Sequence, residues 1–241
     1  MLCTDRIIVL SHTRFSDSSI IVRALSRQHG RVSLMVYGFG GKNRSKLGAF
    51  HPMALLDVVY SYKPDRDIQK LTEYRSTPNL VSCTADLRKS TMLMFMAEVV
   101  GKSIREEAED DAQFEFIDAS VQILEQMQAG LQFFHLAFMV KLSRIIGFFP
   151  NIDANHPFFD LEQGHSTPLK PIHRHFVDAD VFRRIVFFAD CPYDNLRDMQ
   201  MSKADRDFLL ETVIQWYQFR IPTMKEMNSY EILHEVFSEI S

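Results

Sequence analysis

Residues 19–37, "SIIVRALSRQHGRVSLMVY", decide how the first third of the chain folds. In "SIIVRALS" (19–26), Ile20, Val22 and Ala24 share one face while Arg23 takes the other. After "RQHG", the run "RVSLMVY" (31–37) repeats the pattern, with Val32, Leu34 and Val36 inward and Arg31, Ser33 and Tyr37 outward. A period of two, interrupted by a turn that ends in glycine, predicts two antiparallel strands with one buried face. The flanks read the same way. "RIIVLSHTRF" (6–15) is rich in β-branched residues and ends at Ser16-Asp17, while "PMALLDVVYSY" (52–62) and "IQKLTEYR" (68–75) are joined by the turn "KPDRD". Five short strands in under 80 residues predict a small barrel, and the OB-fold is the commonest such barrel that carries nucleic acid.

Beyond Pro78 the period becomes helical. The segment from Thr84 is apolar all round between Met92 and Val100, as in a buried helix. Phe114, Ile117, Val121 and Leu124 follow at 3,4,3 spacing. "LQFFHLAFMVKLSRIIG" runs to Gly147, a helix stop, with Pro150 just beyond. Ser202 with Asp205, and Asn228 with Glu231, sit close to the capping-box pattern at the starts of the last two helices. The expectation is an α+β chain of two domains: a five-stranded OB-fold barrel over 1–78, then an α-helical domain of about six helices over 79–241. The stretch 150–177, with prolines at 150, 157, 168 and 171, reads as irregular.

Charge divides at the same place. The 241 residues carry a net −4, but residues 1–78 hold 12 Lys+Arg against 6 Asp+Glu, and residues 79–241 hold 15 against 25. A barrel at +6 attracts polyanions, and a helical part at −10 repels them. No apolar run approaches the roughly 18 residues that span a bilayer, and the amino terminus lacks the pattern of a signal peptide, so a cytoplasmic location is expected. Cys3, Cys83 and Cys191 are few, scattered and form no CxxC pair, which predicts buried thiols rather than a metal knuckle.

The glycine- and lysine-bearing stretch "YGFGGKNRSKLGAF" (37–50) invites comparison with a phosphate loop. Aligned on Gly41-Lys42, Val36 stands where the first glycine is required and Asn43 where Ser or Thr must meet magnesium. The dinucleotide fingerprint fails as well, because its last position is Asn43. Two readings are left: a solvated loop between strands, or a basic loop whose Lys42, Arg44 and Lys46 meet nucleic-acid phosphates. Arg14, Arg23, Arg27 and Arg31 extend that basic character along the strands, and Tyr37 and Phe39 are candidate stacking surfaces. The histidines at 156, 165, 173 and 175 lie near Asp160, Glu162 and Asp178, yet no H-E-x-x-H pattern is present, and they read as surface-loop residues without a metal. No nucleophile elbow, Cys/His pair or isolated carboxylate pair marks an enzyme, and no cofactor is implied.

The order of these pieces resembles a known family. "IVLSHTRFSDSSIIVRALS", "HGRVSLMVYGFGG", the basic loop and "FHPMALLDVVY" are similar to the amino-terminal OB domain of the RecO family of bacterial recombination mediators. "LVSCTADLRKSTMLMFMAEVV", "FFHLAFMVKLSRIIGFFPNI" and "WYQFRIPTMKEMNSYEILHEVF" are similar to its helical domain, in order and spacing. The resemblance implies a non-enzymatic protein that binds single- and double-stranded DNA and anneals complementary strands. It further implies action with a RecR-like partner in loading a RecA-type recombinase. Family members also receive the acidic tail of the single-stranded-DNA-binding protein in a helical-domain pocket, for which Arg88 and Arg144 are the candidate cations. Many members carry a four-cysteine zinc motif after the segment matching "GFFPNI"; here that region has no cysteine, which implies a metal-free variant. Two rival readings of the residues are an OB-type RNA-binding protein and a protein-binding adaptor.

Overall fold

The computed structural model describes residues 1–38, 47–104 and 110–239. Five strands, β1 (Leu2–Ser16), β2 (Ser19–Ser26), β3 (Gly30–Tyr37), β4 (Leu55–Ser61) and β5 (Ile68–Ser76), close into a barrel in the order β1-β2-β3-β5-β4. All neighbours are antiparallel except β3 and β5, which run parallel through Ser33–Met35 and Ile68–Lys70. Closure leaves no long unpaired edge among the described residues of the barrel, which is how a small sheet avoids pairing with other chains. The alternation of residues 19–37 is the structural register: Arg23 lies opposite Ser33, and Val22 opposite Leu34. Ile20, Val22, Ala24, Val32, Leu34 and Val36 are buried together with Val9, Phe50, Leu56, Val58 and Tyr60. Gly30 adopts φ +62° after the three-residue loop 27–29, the left-handed position that this hairpin length requires.

β1 begins four residues before the expected start. Asp5 is of a type depleted in strands, but it is buried here, and its carboxylate accepts hydrogen bonds from the Ser26 hydroxyl, from Tyr60 Oη at 3.0 Å and from Arg6 N at 2.7 Å. Partners from β2 and β4 thus make an otherwise unfavourable strand residue stable.

The chain divides into two compact units, residues 1–125 and 126–241. The first holds the barrel with α1 (Val81–Ala85), α2 (Leu87–Ser103) and nearly all of α3 (Asp111–Gln126). The helix expected from Thr84 is split at Asp86, whose side chain caps α2 by accepting from Arg88 N. Phe114, Ile117, Val121 and Leu124 form the buried face of α3, as their spacing predicts. Arg6 of β1 reaches α3 at Asp118, 2.8 Å away.

The second unit is built around α4 (Leu131–Ile145), which is buried on almost every side, with α5 (Ala179–Asp190), α6 (Lys203–Arg220) and α7 (Ser229–Glu239). Aromatic rings fill its core. Phe159 stacks on Phe182 at 3.5 Å between centroids, Trp216 meets Phe182 and Phe148 edge-on, and Tyr217 Oη donates to Met139 O at 2.6 Å. Gly147, at φ +83°, follows the end of α4, and Ser202 caps α6 through Asp205 N at 3.1 Å. The stretch 150–177 differs from expectation. It contains three short strands, β6 (Phe158–Asp160), β7 (His165–Thr167) and β8 (Phe176–Asp178), in a sheet ordered β7-β6-β8. Three residues per strand are too few for a periodic signal, and the prolines and histidines between them conceal it.

Candidate nucleic-acid interface

Arg23 on β2 and Arg31 on β3 project from the face opposite the barrel core, where alternation placed them. Beside them the β4–β5 turn, residues 62–67, completes a groove of about 490 Å³ lined by Arg23, His29, Arg31, Ser33, Tyr62, Pro64, Arg66, Asp67 and Gln69. The outer face of strands 2 and 3 together with the β4–β5 loop is the surface on which OB-type barrels carry oligonucleotides. Three arginines against one aspartate give the groove a positive potential, and a concave basic surface concentrates polyanions.

The turn that carries Arg66 is braced from below. Buried Gln69 accepts from Lys63 N at 2.9 Å and donates to Lys63 O at 2.9 Å and Arg66 O at 2.6 Å, so one amide side chain fixes both ends of the turn. The aromatic wall is braced too. His29 stacks on Tyr62 with centroids 3.8 Å apart and planes 27° from parallel. Its Nδ1 lies 2.8 Å from Tyr60 Oη, and Tyr60 in turn donates to Asp5. The single tyrosine hydrogen is committed to the carboxylate, so the hydrogen between Tyr60 and His29 resides on His29 Nδ1. Burial holds the Tyr60 hydroxyl well above the ordinary tyrosine range, which keeps it a donor.

The other expected DNA contacts fall elsewhere. Arg27 is engaged by acidic residues of α3: it bonds to Glu115, lies 3.6 Å from Asp111 and sits 5.9 Å over the Phe114 ring. Arg14 pairs with Asp17 at 3.2 Å beside a smaller cavity of about 210 Å³ at the β1–β2 hairpin. Tyr37 is 61% exposed at the end of β3. Phe39, Lys42, Arg44 and Lys46 lie outside the described residues. Arg88 is bound by Asp86 through two contacts of 2.8 and 3.2 Å, and this hydrogen bonding holds the Asp86 carboxyl below its ordinary range. Arg144 pairs with Asp190 at 2.9 Å and lies 4.4 Å over the Phe149 ring. His29, Tyr62 and Arg66 were not among the expected contacts, although "KPDRD" and the tyrosine before it were visible as a turn between strands.

Of the four clustered histidines, three lie by carboxylates: His156 Nε2 is 3.9 Å from Asp153, and the other two are closer. His173 Nε2 lies 3.1 Å from Asp160, and His175 Nδ1 lies 2.7 Å from Glu162. The remaining ring nitrogens are also engaged, since His175 N donates to His173 Nδ1 and Arg174 Nε donates to His175 Nε2. The three cysteines are buried separately, so the residues present do not fit a four-cysteine zinc motif. Among the described residues, no helix is long and apolar enough to cross a membrane.

A closed five-stranded barrel with a basic, aromatic-walled groove, followed by helices, defines an OB-type protein with an appended helical region. Residues 1–79 match the family model for the recombination protein O N terminal, and residues 84–226 match that for the recombination protein O C terminal. The chain therefore belongs to the RecO family. It is 29% identical over 241 residues to the DNA repair protein RecO of Azobacteroides pseudotrichonymphae, covering 98% of this chain and all of that protein. It is 27% identical over 234 residues to the protein of the same name from Phocaeicola vulgatus, covering 96% and 97% of the two chains. The Flavobacterium psychrophilum protein of that name is 27% identical over 244 residues, covering 99% and 100%.

Proposed function

We propose that this protein is a non-catalytic recombination mediator that binds DNA through its barrel and anneals complementary strands. The observation that carries this is the groove of Arg23, Arg31 and Arg66 on the oligonucleotide-bearing face of an OB-type barrel. Its family membership supports a place in DNA repair. Two complementary strands repel each other as polyanions, and a surface that neutralises phosphates on both lowers that barrier. In this role the protein would act with a RecR-like partner to load a RecA-type recombinase onto strands coated by single-stranded-DNA-binding protein, whose acidic tail it would receive. Lys42, Arg44 and Lys46 would extend the basic surface.

The test is fluorescence-monitored annealing of complementary oligonucleotides over a salt series, with and without the coating protein. Acceleration that fades as salt rises is expected. Annealing at the spontaneous rate at low salt would refute the proposal, and stronger capture of a matched RNA would move the function to RNA handling.

A further inference from the structure

We propose that the stacked His29–Tyr62 pair is a base-stacking platform that makes this groove a single-strand site. One unpaired base lies against the rings, and its flanking phosphates lie on Arg23 and Arg66. This rests on the DNA-binding reading above and goes beyond it, since arginines alone serve duplex and single strand alike.

The geometry supplies each part. Both rings line the groove beside the arginines, and Tyr62 is half-buried rather than sealed in the core. The pair is set before any ligand arrives: His29 is tied through Tyr60 to Asp5, whose carboxylate is fully buried and bonded to Ser26. A platform held this way loses little side-chain freedom on binding. Tyr62 packs against the barrel core on one side and borders the groove on the other, and its hydroxyl has no hydrogen-bond partner among the described residues. The groove, at about 490 Å³, is within the size range of pockets that enclose a group as large as a nucleotide. A base in a duplex has both faces covered by its neighbours, whereas an unpaired base offers a face to an aromatic ring.

The experiment compares fluorescence anisotropy of a labelled oligothymidylate and of a hairpin duplex of matched charge. The proteins are the full chain, Tyr62→Ala, Tyr62→Leu, Tyr62→Phe and the double variant Arg23→Ala/Arg66→Ala. Loss of one stacked base weakens single-strand binding about five- to 150-fold. Tyr62→Ala and Tyr62→Leu are expected to show that loss with duplex binding changed less than about twofold, and Tyr62→Phe to retain wild-type affinity for both. Tyr62→Leu keeps apolar bulk against the barrel, so it decides the matter if the alanine variant does not fold. If both forms weaken equally, or neither does, in Tyr62→Leu while the arginine variant weakens both, the stacking platform is overturned and DNA binding by the groove stands. If the arginine variant leaves both forms unchanged, the groove is not the DNA site and both proposals fall.

Discussion

Replacing Arg23 and Arg66 together by alanine tests the groove through its salt dependence. Arg23 comes from β2 and Arg66 from the turn braced by Gln69, and neither side chain has an ion-pair partner among the described residues. Each single-strand phosphate neutralised contributes about −0.7 to the slope of log affinity against log salt. The two arginines replaced therefore account for about −1.4 of the slope. Between about 50 and 200 mM salt the wild type should lose about sevenfold more affinity than the variant does. Basic residues elsewhere add equally to both proteins, so the difference in slope is the quantity to measure. Anisotropy titrations of a labelled single strand at five salt concentrations supply it. Parallel lines for wild type and variant would refute the assignment of Arg23 and Arg66 to phosphates. Arg27→Ala is the internal control. Its guanidinium already faces Glu115 and Asp111, so it should lower the slope by less than half as much as Arg23→Ala does.

Two further predictions concern stability. Gly130 opens α4 at φ +77°, and an added Cβ would stand 2.7 Å from the backbone of Leu196 and Arg197, so Gly130→Ala should cost about 2–4 kcal/mol in chemical denaturation; a loss under about 0.5 kcal/mol would show that this turn is not constrained. His135 is buried, and burial, reinforced by the Arg206 charge, holds its pKa down to about 3. It stays neutral in the folded chain while the unfolded chain takes up a proton below about pH 6.5, so its contribution is complete above that value. That contribution falls by about 1.4 kcal/mol per pH unit as the medium is acidified towards pH 3. Urea unfolding across that window should show wild type losing stability relative to His135→Leu as the pH falls, and a difference that does not change with pH would contradict it.

Much of the architecture is readable along the chain because it depends on near neighbours. Alternation in 19–37 sets which side chains face the barrel core, since successive strand residues point to opposite faces whatever the rest of the molecule does. The 3,4,3 spacing of Phe114, Ile117, Val121 and Leu124, the stop at Gly147 and the cap at Ser202 are likewise local, each decided within one or two turns. The strands of 158–178 escape such reading because three residues cannot establish a period.

Arg23, Arg27 and Arg31 look alike on paper and differ in space. Closure of the barrel brings Arg23 and Arg31 to the β4–β5 turn, while Arg27, at the tip of its hairpin, meets the acidic face of α3 more than eighty residues away. The same closure turns Asp5, of a type depleted in strands, into the buried anchor beneath His29 and Tyr62. Residue type and period settle the longer strands and helices, the sign of the charge and the inward face of the barrel strands, because these follow from backbone geometry and side-chain chemistry. Which charge is neutralised, which aromatic is braced and where a groove opens follow from contacts between distant segments, and only the folded chain contains those distances.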